Sequence, residues 1–492
     1  MSTTTPQDST GSQLRYRRGR WIDGWDPENT AQWEGGGRKI AHRNLGFSIY
    51  AEFLGFVVWG LWAIVVVSLG KGWRGFSFTS SEQFWLISLP SLVGATLRFP
   101  YAWMVAKFGG RNWTIVSASL LLIPTTAMAF AINNHPVIDA NGVVTHAGTS
   151  FTVMAIVAAL AGFGGGNFAS SMANITYFFP QKEKGWALGM NAAGGNIGSA
   201  VAQFVVPIVI SITAVVAIGS DGTKNRINNL PIAGWIWIPL IVLAILGAIF
   251  FMNNLSSAKT DSAGYIAALK EPHLWILSFL YIGTFGSFIG LGGAFPKLIA
   301  DQFPAYNTPI QISTAFVGLS FLGPLTGSLV RPIGGMLADK IGGAYITAGA
   351  FVVMILMTFA SIEVLMNKAG FWAFLVCFII LFAATGVGNG SMYKTIPTVF
   401  NFKAGQKDAQ FKSAGIATER KISAALGIVS AFGAYGGFFI PQAFSQALKM
   451  KNNVVVDGYT LGLWWLFAAY IVFLIVHVVV YIIPYARKGT RV

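Results

Sequence analysis

Charged residues are scarce in this chain of 492 residues. They make up 10% of it, against about 25% in a typical soluble domain. A soluble fold with so little charge would expose broad apolar surface to water and would aggregate. Intrinsic disorder is also excluded, because it requires low hydrophobicity and 54% of these residues are hydrophobic. The composition therefore predicts a membrane protein that crosses the bilayer several times.

Cysteine is almost absent, since Cys377 is the only one in the sequence. A single cysteine excludes an internal disulfide bond and any metal site built from cysteines. The five histidines are scattered without metal-ligand spacing, and no HExxH, GxSxG or phosphate-loop pattern is present. We therefore expect no bound metal, no cofactor and no enzymatic activity.

Long apolar stretches, by contrast, are abundant. A helix crosses the bilayer with about 20 apolar residues, and backbone groups in hydrocarbon must be paired within the segment. Twelve such stretches are present, near 44–70, 82–106, 112–132, 151–179, 184–218, 232–252, 272–300, 313–338, 344–366, 370–402, 415–447 and 459–485. The fold prediction is an all-α polytopic membrane protein with twelve transmembrane helices.

Lysine and arginine are distributed unevenly between the two sides of these helices. With both termini on one side, 22 of the 33 basic residues lie on that side, 8 lie on the other, and three lie within spans. Because basic loops remain in the cytoplasm, both termini are predicted to be cytoplasmic, in the cell inner (plasma) membrane. This topology explains the net charge of +15, and a nucleic-acid partner has no support.

Three blocks recur in the same order in the two halves of the chain. Arg98 is followed eleven residues later by a Gly-Gly pair, and so is Arg331. A GxGxG pattern occurs at 162–166 and again at 386–390. An Ala-Leu-Gly block with two further spaced glycines also recurs, and we interpret its glycines as helix-packing surfaces. They are Gly189, Gly195 and Gly198 in the fifth span, and Gly427, Gly433 and Gly436 in the eleventh.

The repeat predicts two pseudo-symmetric six-helix halves, with a substrate site between them, as in a rocking transporter. The predicted parts are a cytoplasmic N-terminal tail at 1–43, an N-terminal half at 44–252, a cytoplasmic linker at 253–271, a C-terminal half at 272–487 and a cytoplasmic C-terminal tail at 488–492.

Two arginines lie deep within predicted spans, at a cost of roughly 3 kcal/mol each on insertion scales. Arg98 in the second span and Arg331 in the eighth hold matching positions. One arginine near a helix end could snorkel to the interface, but two symmetry-matched arginines favour a site. A guanidinium suits planar oxyanions, so the pair is expected to bind an external anion or a carboxylate from another helix.

Several longer segments accompany these arginines: LRFPY-x6-FGGRNWT (97–114), GFGGGNFASSMANI (162–175), GWALGMNAAGGN (185–196), YIGTFGSFIG (281–290), LVRPIGGMLADKIGG (329–343) and ALGIVSAFGAYGGFFIPQAF (425–444). Together they resemble the nitrate/nitrite porter family of the major facilitator superfamily. The resemblance implies a set of anion ligands: two gripping arginines, two sandwiching phenylalanines and two hydrogen-bonding residues. The matching positions here are Arg98 and Arg331, Phe168 and Phe285, and Asn196 and Tyr281.

Two charged residues depart from the pattern of the better-known exchangers of that family. Glu52 lies in the first span at the depth of the arginines, where those members have an apolar residue. It is either a proton carrier or half of a structural ion pair. Lys394 in the tenth span is either a snorkelling residue or a partner of Glu52. Both are therefore candidates for proton coupling.

The resemblance implies a secondary active transporter of nitrate and nitrite that works by alternating access. We expect proton-coupled nitrate import, because an ionised Glu52 could neutralise the arginines of the empty site and take up a proton as the anion binds. Obligatory nitrate/nitrite antiport is the alternative, and an anion channel is the alternative of another class. The expected partners are nitrate, nitrite, protons and the lipid bilayer, and the chain is expected to be a monomer.

Overall fold

The structure is a computed structural model that describes residues 14–139, 143–218, 224–258, 262–405 and 416–486. The predicted C-terminal tail 488–492, residues 1–13 of the predicted N-terminal tail and residues 259–261 of the predicted linker lie outside the described residues. So do several basic residues that contribute to the predicted orientation, namely Lys259, Lys407, Lys412, Arg487, Lys488 and Arg491.

Twelve helical spans lie within the described residues, and the first six form one half of the molecule. They are Arg38–Gly70; Ser80–Phe108; Gly110–Leu120 with Leu122–Asn133; Phe151–Leu160 with Gly162–Phe178; Gln181–Ile212; and Ile232–Trp235 with Ile238–Phe251. A short helix, Thr30–Gln32, and a π-helical turn, Trp33–Gly37, lead into the first span. The first span is therefore longer than predicted and begins at Arg38.

The second half contains the seventh to the twelfth spans, preceded by a linker helix, Ser262–Leu269. They are Pro272–Tyr281, the π-helical turn Ile282–Gly286 and Ser287–Gln302; Leu322–Ile341; Gly343–Met366; Phe371–Lys403; Ile416–Ala434 with Gly436–Met450; and Val455–His477, the π-helical turn Val478–Ile482 and Ile483–Ala486. A turn of 3-10 helix follows the first span at Trp73–Gly75 and another follows the seventh at Pro304–Tyr306.

Ten of the described spans are long and apolar enough to cross a membrane. The second and the eighth spans are not among these ten, and they are the spans that carry Arg98 and Arg331. The two spans also end alike. Gly109 and Gly342 follow them with φ angles of 87° and 109°, a left-handed backbone that suits glycine. This explains the recurring Gly-Gly pair as the tight joint to the following span.

Local sequence fixes where the second span begins. Thr79 and Glu82 form a reciprocal capping box, in which the Thr79 backbone N–H donates to Glu82 Oε2 at 2.8 Å and the Glu82 backbone N–H donates to Thr79 Oγ1 at 3.3 Å. Ser150 caps the fourth span in the simpler way, by accepting from the Val153 N–H. Each cap satisfies backbone donors that the first helical turn leaves unpaired.

Short antiparallel hairpins occupy three of the loops. They are Val137–Ile138 with Val144–His146, Val215–Ile218 with Lys224–Ile227, and Ile310–Ile312 with Ala315–Val317. Two predicted span boundaries are wrong as a result. The fifth span ends at Ile212 and not at 218, and the eighth begins at Leu322 and not at 313. The apolar runs there are rich in β-branched residues, which form strands as readily as helix ends.

The described part of the predicted N-terminal tail, from residue 14 on, is folded. Strands Arg15–Arg17, Trp21–Asp23 and Asn254–Leu255 form a three-stranded sheet, in which the third strand pairs in parallel with the second. We call it the N-terminal sheet, and the end of the bundle that carries it the basic face. The opposite face carries the three hairpins. Trp25 Nε1 donates to the Tyr177 carbonyl at 3.1 Å, so the chain after the sheet is tied to the end of the fourth span.

Candidate functional site

Two arginines and two phenylalanines meet at the centre of the molecule. Arg98 Cζ lies 4.4 Å from the ring centroid of Phe168 and 5.0 Å from that of Phe285. Arg331 Cζ lies 5.8 Å and 5.9 Å from the same two centroids. The rings are 6.0 Å apart and tilted by 31°. Each ring therefore touches both guanidinium groups, and each half of the molecule contributes one ring and one arginine.

The symmetry of the repeat sets the depth of the two arginines. Arg98 lies ten residues before the end of its span at Phe108, and Arg331 lies ten residues before the end of its span at Ile341. Their side chains are 1% and 5% exposed. Snorkelling does not explain this arrangement, because a snorkelling side chain reaches towards water and these two are buried.

Arg98 joins the two halves through its hydrogen bonds. Its Nε donates to the Gly165 carbonyl of the fourth span at 3.2 Å, and its Nη1 donates to the Ser430 carbonyl of the eleventh span at 2.8 Å. The ring of Trp59 lies 5.6 Å from Arg98 Cζ. Its Nη2 is buried without a hydrogen-bond partner among the described residues. One donor group of Arg98 is thus left over after its structural contacts.

Arg331 has fewer polar contacts than Arg98. No hydrogen bond and no ion pair holds it within the described part of the chain, and its Nη1 is buried without a partner. The ring of Tyr393 lies 5.6 Å from its Cζ. A buried cation with an unmet donor is costly unless an anion satisfies it. The pair of arginines is therefore arranged to receive negative charge.

Tyr281 lies beside this cluster at the start of a π-helical turn. The turn Ile282–Gly286 carries Phe285, and the ring of Tyr281 stacks on that of Phe285 with centroids 5.4 Å apart. Its hydroxyl donates a hydrogen bond to Asn389 Oδ1. Both atoms of this contact are buried, so the tyrosine is fixed in orientation beside the aromatic pair.

Asn196 is placed differently from the other implied ligands. It is fully buried in the fifth span, and its Nδ2 and Oδ1 have no hydrogen-bond partner in the described residues. No hydrogen bond joins it to Arg98 or to Arg331 in this state. An amide with both groups unsatisfied retains the capacity to bind a polar ligand.

Glu52 is fully buried and is held by neutral partners only. Its Oε2 accepts hydrogen bonds from the Ser171 hydroxyl and, at 2.7 Å, from Asn191 Nδ2. Its Oε1 has no partner among the described residues. Arg331 and Arg98 are near enough to attract its charge electrostatically, but neither lies within the 4.0 Å of an ion pair. Glu52 therefore lies next to the arginines without neutralising them directly.

Lys394 is not the partner of Glu52. The structure pairs Lys394 Nζ with Asp339 Oδ2 at 3.0 Å, and the two side chains are 43% and 45% exposed. The long side chain of Lys394 reaches Asp339, which lies two residues before the end of the eighth span. Gly185 of the other half lies close to its amine. Of the two interpretations of Lys394, the partnership with Glu52 is therefore corrected, because its amine is paired with Asp339.

The repeated glycines differ in how tightly they are packed. A side-chain carbon at Gly195 would lie 2.6 Å from Glu52 Cγ, and at Gly436 it would lie 2.7 Å from the Gly286 carbonyl carbon. Gly198 and Gly433 are similarly crowded, against Phe53 and Tyr281 respectively. Gly427 is looser, with Tyr265 Oη at 3.3 Å. A carbon at Gly189 would meet nothing within 4 Å, so the packing role predicted for Gly189 is wrong.

Sequence reasoning missed four residues of this region. Ser171, Asn191 and Asn389 orient Glu52 and Tyr281, and Tyr393 stacks near Arg331. The signal was present, because the segments 162–175 and 185–196 contain the first two and the GxGxG repeat contains Asn389. A small polar residue inside a glycine-rich membrane helix has few other reasons to be there.

A charged cluster links the two halves near the opposite face. Lys297 Nζ donates to Asp301 Oδ2 and to Gln83 Oε1, both at 2.8 Å, and Tyr459 donates to Asp301 Oδ2 at 2.8 Å. We call these four residues the Lys297 cluster. Gln83 belongs to the first half and the other three to the second, so a single neutral acceptor connects the halves here. The ion pair itself lies within one helix.

Further hydrogen bonds between the halves flank the site towards the opposite face. They join Gln203 Nε2 to the Gly292 carbonyl at 2.8 Å, and Gln442 Nε2 to Ser88 Oγ at 2.7 Å. Arg226 Nη2 of the first half also donates to the Thr314 carbonyl of the second half at 3.2 Å, so amide and guanidinium donors both link the halves on this face. Such bonds exchange for water at small net cost when the surfaces part.

Comparison with known families shows a match to the Major Facilitator Superfamily over residues 51–441. Among solved structures, a D-xylose-proton symporter aligns with a TM-score of 0.61 and 14% identity, covering 89% of this chain and 97% of that one. At that identity the likeness concerns the fold alone.

Closer similarity exists to curated relatives. The chain is 40% identical over 446 residues to the "Nitrate/nitrite transporter NarU" of Salmonella typhimurium, covering 88% of this chain and 91% of that protein. It is 30% identical over 490 residues to the "Probable nitrate/nitrite antiporter NarK2" of Thermus thermophilus, covering 97% of this chain and 99% of that protein.

Proposed function

Because the chain belongs to the nitrate/nitrite porter family of the major facilitator superfamily, we propose that it carries nitrate and nitrite across the cell inner membrane by alternating access. It is a multi-pass membrane protein of a family of transporters. The proposal takes both termini as cytoplasmic, so that the basic face is inside and the opposite face is outside. In this proposal the chain acts as a monomer, since one copy of the chain supplies both arginines.

The observation that carries the proposal is the pair of buried, unmet arginine donors between two aromatic rings. Nitrate is flat, monovalent and weakly hydrated, so two guanidinium groups can bind its oxygens in their own planes. Phe168 and Phe285 exclude water and bring ring edges towards the anion. A tetrahedral divalent anion would lose far more hydration in such a dry pocket.

Tyr281 and Asn196 complete the ligand set in this proposal. The Tyr281 hydroxyl donates its hydrogen to Asn389 Oδ1, so it can donate to the anion only after releasing that bond. Asn196 contributes a side-chain amide whose Nδ2 and Oδ1 both lack a hydrogen-bond partner among the described residues. A bound anion would accept a hydrogen bond from Asn196 Nδ2, which has no acceptor when the site is empty.

Alternating access requires that the two faces open in turn. Contacts of the Lys297 cluster, Gln203 and Gln442 close the outside in this state. Opening to the outside breaks the Lys297–Gln83 bond and leaves the Lys297–Asp301 pair intact on the seventh span. The charge of Lys297 therefore stays neutralised through the whole cycle, which keeps the cost of opening small.

Coupling to protons follows from the position of Glu52. When the site is empty, the ionised carboxylate offsets part of the charge of Arg98 and Arg331 and lets the empty carrier reorient. When nitrate binds, the carboxylate and the anion compete for the same positive charge, which favours protonation of Glu52. Its neutral partners, Ser171 and Asn191, can bind the protonated form as well, since a protonated carboxyl can donate to a hydroxyl oxygen.

Obligatory nitrate/nitrite exchange is the second candidate, and one observation favours it. Glu52 makes no ion pair with either arginine, so an empty site retains two guanidinium groups without a bound counter-charge. Reorientation without an anion is then costly, and exchange follows. An anion channel, the third possibility, would not respond to anions on the far side of the membrane by counterflow.

Transport into proteoliposomes tests these proposals together. Nitrate uptake is measured with and without an inward proton gradient, and with and without internal nitrite. A proton-coupled carrier accumulates nitrate when the outside is acidic, even without internal nitrite. An obligatory exchanger requires internal nitrite and ignores the gradient, and a channel shows neither accumulation nor acceleration by internal nitrite. Absence of nitrate movement under every condition would refute the assignment.

A further inference from the structure

A second basic site lies on the basic face, away from the central arginines. A cavity of about 400 Å³ opens between the N-terminal sheet and the start of the first span. We call it the arginine cavity, and its lining residues are Tyr16, Arg17, Arg20, Ile40, Arg43 and Asn253. Its volume equals that of roughly a dozen water molecules, enough for a phosphate group with its ester substituents.

One of the three arginines already has a counter-charge. Arg17 forms a two-point ion pair with Asp23, with Nε 2.6 Å from Oδ2 and Nη2 2.7 Å from Oδ1. A hydrogen bond from Ser256 and the pairing with Arg17 hold the pKa of Asp23 below its ordinary value. Asp23 therefore remains ionised at neutral pH, and Arg17 adds little net charge to the cavity.

Arg20 and Arg43 are uncompensated. Among the described residues, no carboxylate lies within ion-pair distance of either one. Their guanidinium groups are close enough to repel each other. Arg20 Nε donates to the Met252 carbonyl at 2.9 Å and Arg43 Nη2 to Asn253 Oδ1 at 2.7 Å. Arg43 Nε is buried without a partner, so positive charge and unused donors converge here.

Arg20 occupies a backbone conformation that is unfavourable for a residue with a side chain. Its φ angle is 61°, in the left-handed region that non-glycine residues rarely adopt, in the loop between the first two strands. A glycine would suit that position better. The bond to Met252 helps to cap the end of the sixth span, but it uses one of the five N–H donors of an arginine. Helix capping alone therefore gives no role to the other N–H donors of the Arg20 guanidinium.

We propose that the arginine cavity binds the phosphate of an anionic phospholipid from the membrane leaflet on the basic face. A phosphodiester accepts hydrogen bonds from two guanidinium forks and neutralises their mutual repulsion. Ile40 adds an apolar wall, and Arg43 lies on the first turns of a membrane span, where headgroups are found. The proposal rests on the proposed placement of this face at the membrane surface and needs no assumption about nitrate.

Binding is measured on the purified full chain in detergent, from the rise in melting temperature during titration with phosphatidylglycerol. Phosphatidylcholine is the neutral-lipid comparison, and inorganic phosphate and glycerol 3-phosphate represent soluble sources. The test variant is Arg20→Gly with Arg43→Gln. Its matched control is Arg15→Gln with Arg18→Gln, which removes the same number of positive charges from the N-terminal sheet and its first loop, outside the cavity. Arg43→Gln alone keeps the helix cap and covers the case in which the double variant does not fold.

For the parent and for the control, the melting temperature should rise saturably with added phosphatidylglycerol. It should not rise with phosphatidylcholine. The affinity of the test variant should fall by about tenfold or more, the loss expected for charge-assisted hydrogen bonds to one phosphate. Equal affinity of test and control variants would overturn the proposal. A rise of the same size with glycerol 3-phosphate or inorganic phosphate would overturn the lipid source and assign the cavity to a soluble phosphate.

Discussion

The two halves of the molecule present different chemistry at equivalent places. Gly195 and Gly433 hold matching positions in the repeat. A side-chain carbon at Gly195 would lie 2.6 Å from Glu52 Cγ, and one at Gly433 would lie 3.2 Å from Tyr281 Cε1. Glu52 of the first span and Tyr281 of the seventh therefore pack on equivalent glycines. One half offers a carboxylate where the other offers a phenol.

The polar residues that contact Glu52 and Tyr281 also differ between the two halves. Ser171 and Asn191 hold the carboxylate of Glu52, and Asn389 holds the hydroxyl of Tyr281. The aromatic walls and the arginines are contributed equally by both halves, whereas the ionisable acid occurs in one. In the proposed function, the comparison assigns anion binding to the part that follows the symmetry of the repeat and proton coupling to the place where that symmetry is broken.

The largest expected effect comes from the arginines, where the halves also differ. Arg98→Lys and Arg331→Lys should each lower nitrate transport by roughly a hundredfold, because an ammonium cannot reproduce two charge-assisted hydrogen bonds. Only Arg98→Lys should also lower the melting temperature by several degrees, since Arg98 bonds to Gly165 and Ser430. Transport assays and melting curves on both variants check this. Near-normal uptake in both would remove the anion-site assignment.

Next in size is the loss of coupling in Glu52→Gln. The amide keeps the shape and can still bond to Ser171 and Asn191, but it cannot exchange a proton. Nitrate accumulation driven by external acid should disappear, while nitrate/nitrite counterflow should continue at a similar rate. Both are measured in the same proteoliposome preparation, so that counterflow reports folding. Accumulation that survives in Glu52→Gln would return Glu52 to a structural role.

A steric test addresses the glycine that supports Glu52. Gly195→Ala forces a methyl group against Glu52 and should destabilise the transporting state by about 1–3 kcal/mol, which lowers transport by roughly 5- to 150-fold. Gly189→Ala is the matched control on the same helix, where a methyl group meets nothing within 4 Å. The initial rate of nitrate uptake is the readout. Equal rates in the two variants would contradict the close contact.

A smaller effect is expected at Tyr281, the phenol that stands in the second half where the first half has Glu52. Tyr281→Phe removes one neutral hydrogen bond and keeps the ring stacked on Phe285. Loss of a single bond corresponds to about 0.5–1.5 kcal/mol, or roughly two- to tenfold in the KM for nitrate. The ratio of acid-driven uptake to counterflow should not change. A selective loss of acid-driven uptake would mean that the phenol also takes part in coupling.

The smallest effect should come from Lys394→Gln. The ion pair of Lys394 with Asp339 is almost half exposed, and exposed pairs contribute about 0.2–1 kcal/mol. Acid-driven uptake should stay within about twofold of the parent. Asp339→Asn should behave in the same way, because it breaks the same pair from the other side. Abolished acid-driven uptake in Lys394→Gln would restore the lysine as a coupling residue.

Much of the architecture could be read from the sequence. Twelve apolar stretches in two halves are found as twelve spans, because the length of a membrane helix and the pairing of its backbone leave few alternatives. The family resemblance was confirmed as well. Strand hairpins at Val215–Ile218 and Ile310–Ile312 were not predicted, since short apolar runs at span ends carry no periodicity that separates strand from helix.

The site could be predicted in part. The matched spacing of the repeat predicted Arg98 and Arg331 as site residues. Spacing does not predict which side chains these arginines contact. The link of Glu52 to Ser171 and Asn191 depends on three helices meeting, and neither composition nor spacing encodes that register. Lys394 had two interpretations from the sequence, a snorkelling residue or a partner of Glu52, because spacing along the chain does not show that Asp339 of the eighth span lies beside it. The substrate roles of all these residues stay predictions.

Within the residues that the structure describes, Glu52 is the only acidic side chain that is fully buried. A single carboxylate can pass one proton per cycle, and one nitrate carries one negative charge. Co-transport of the two then moves no net charge, so the membrane potential does no work on it. Accumulation would follow the pH difference alone, with a limit of about tenfold in concentration per pH unit. A potassium diffusion potential imposed across the same vesicles would leave the final nitrate ratio unchanged.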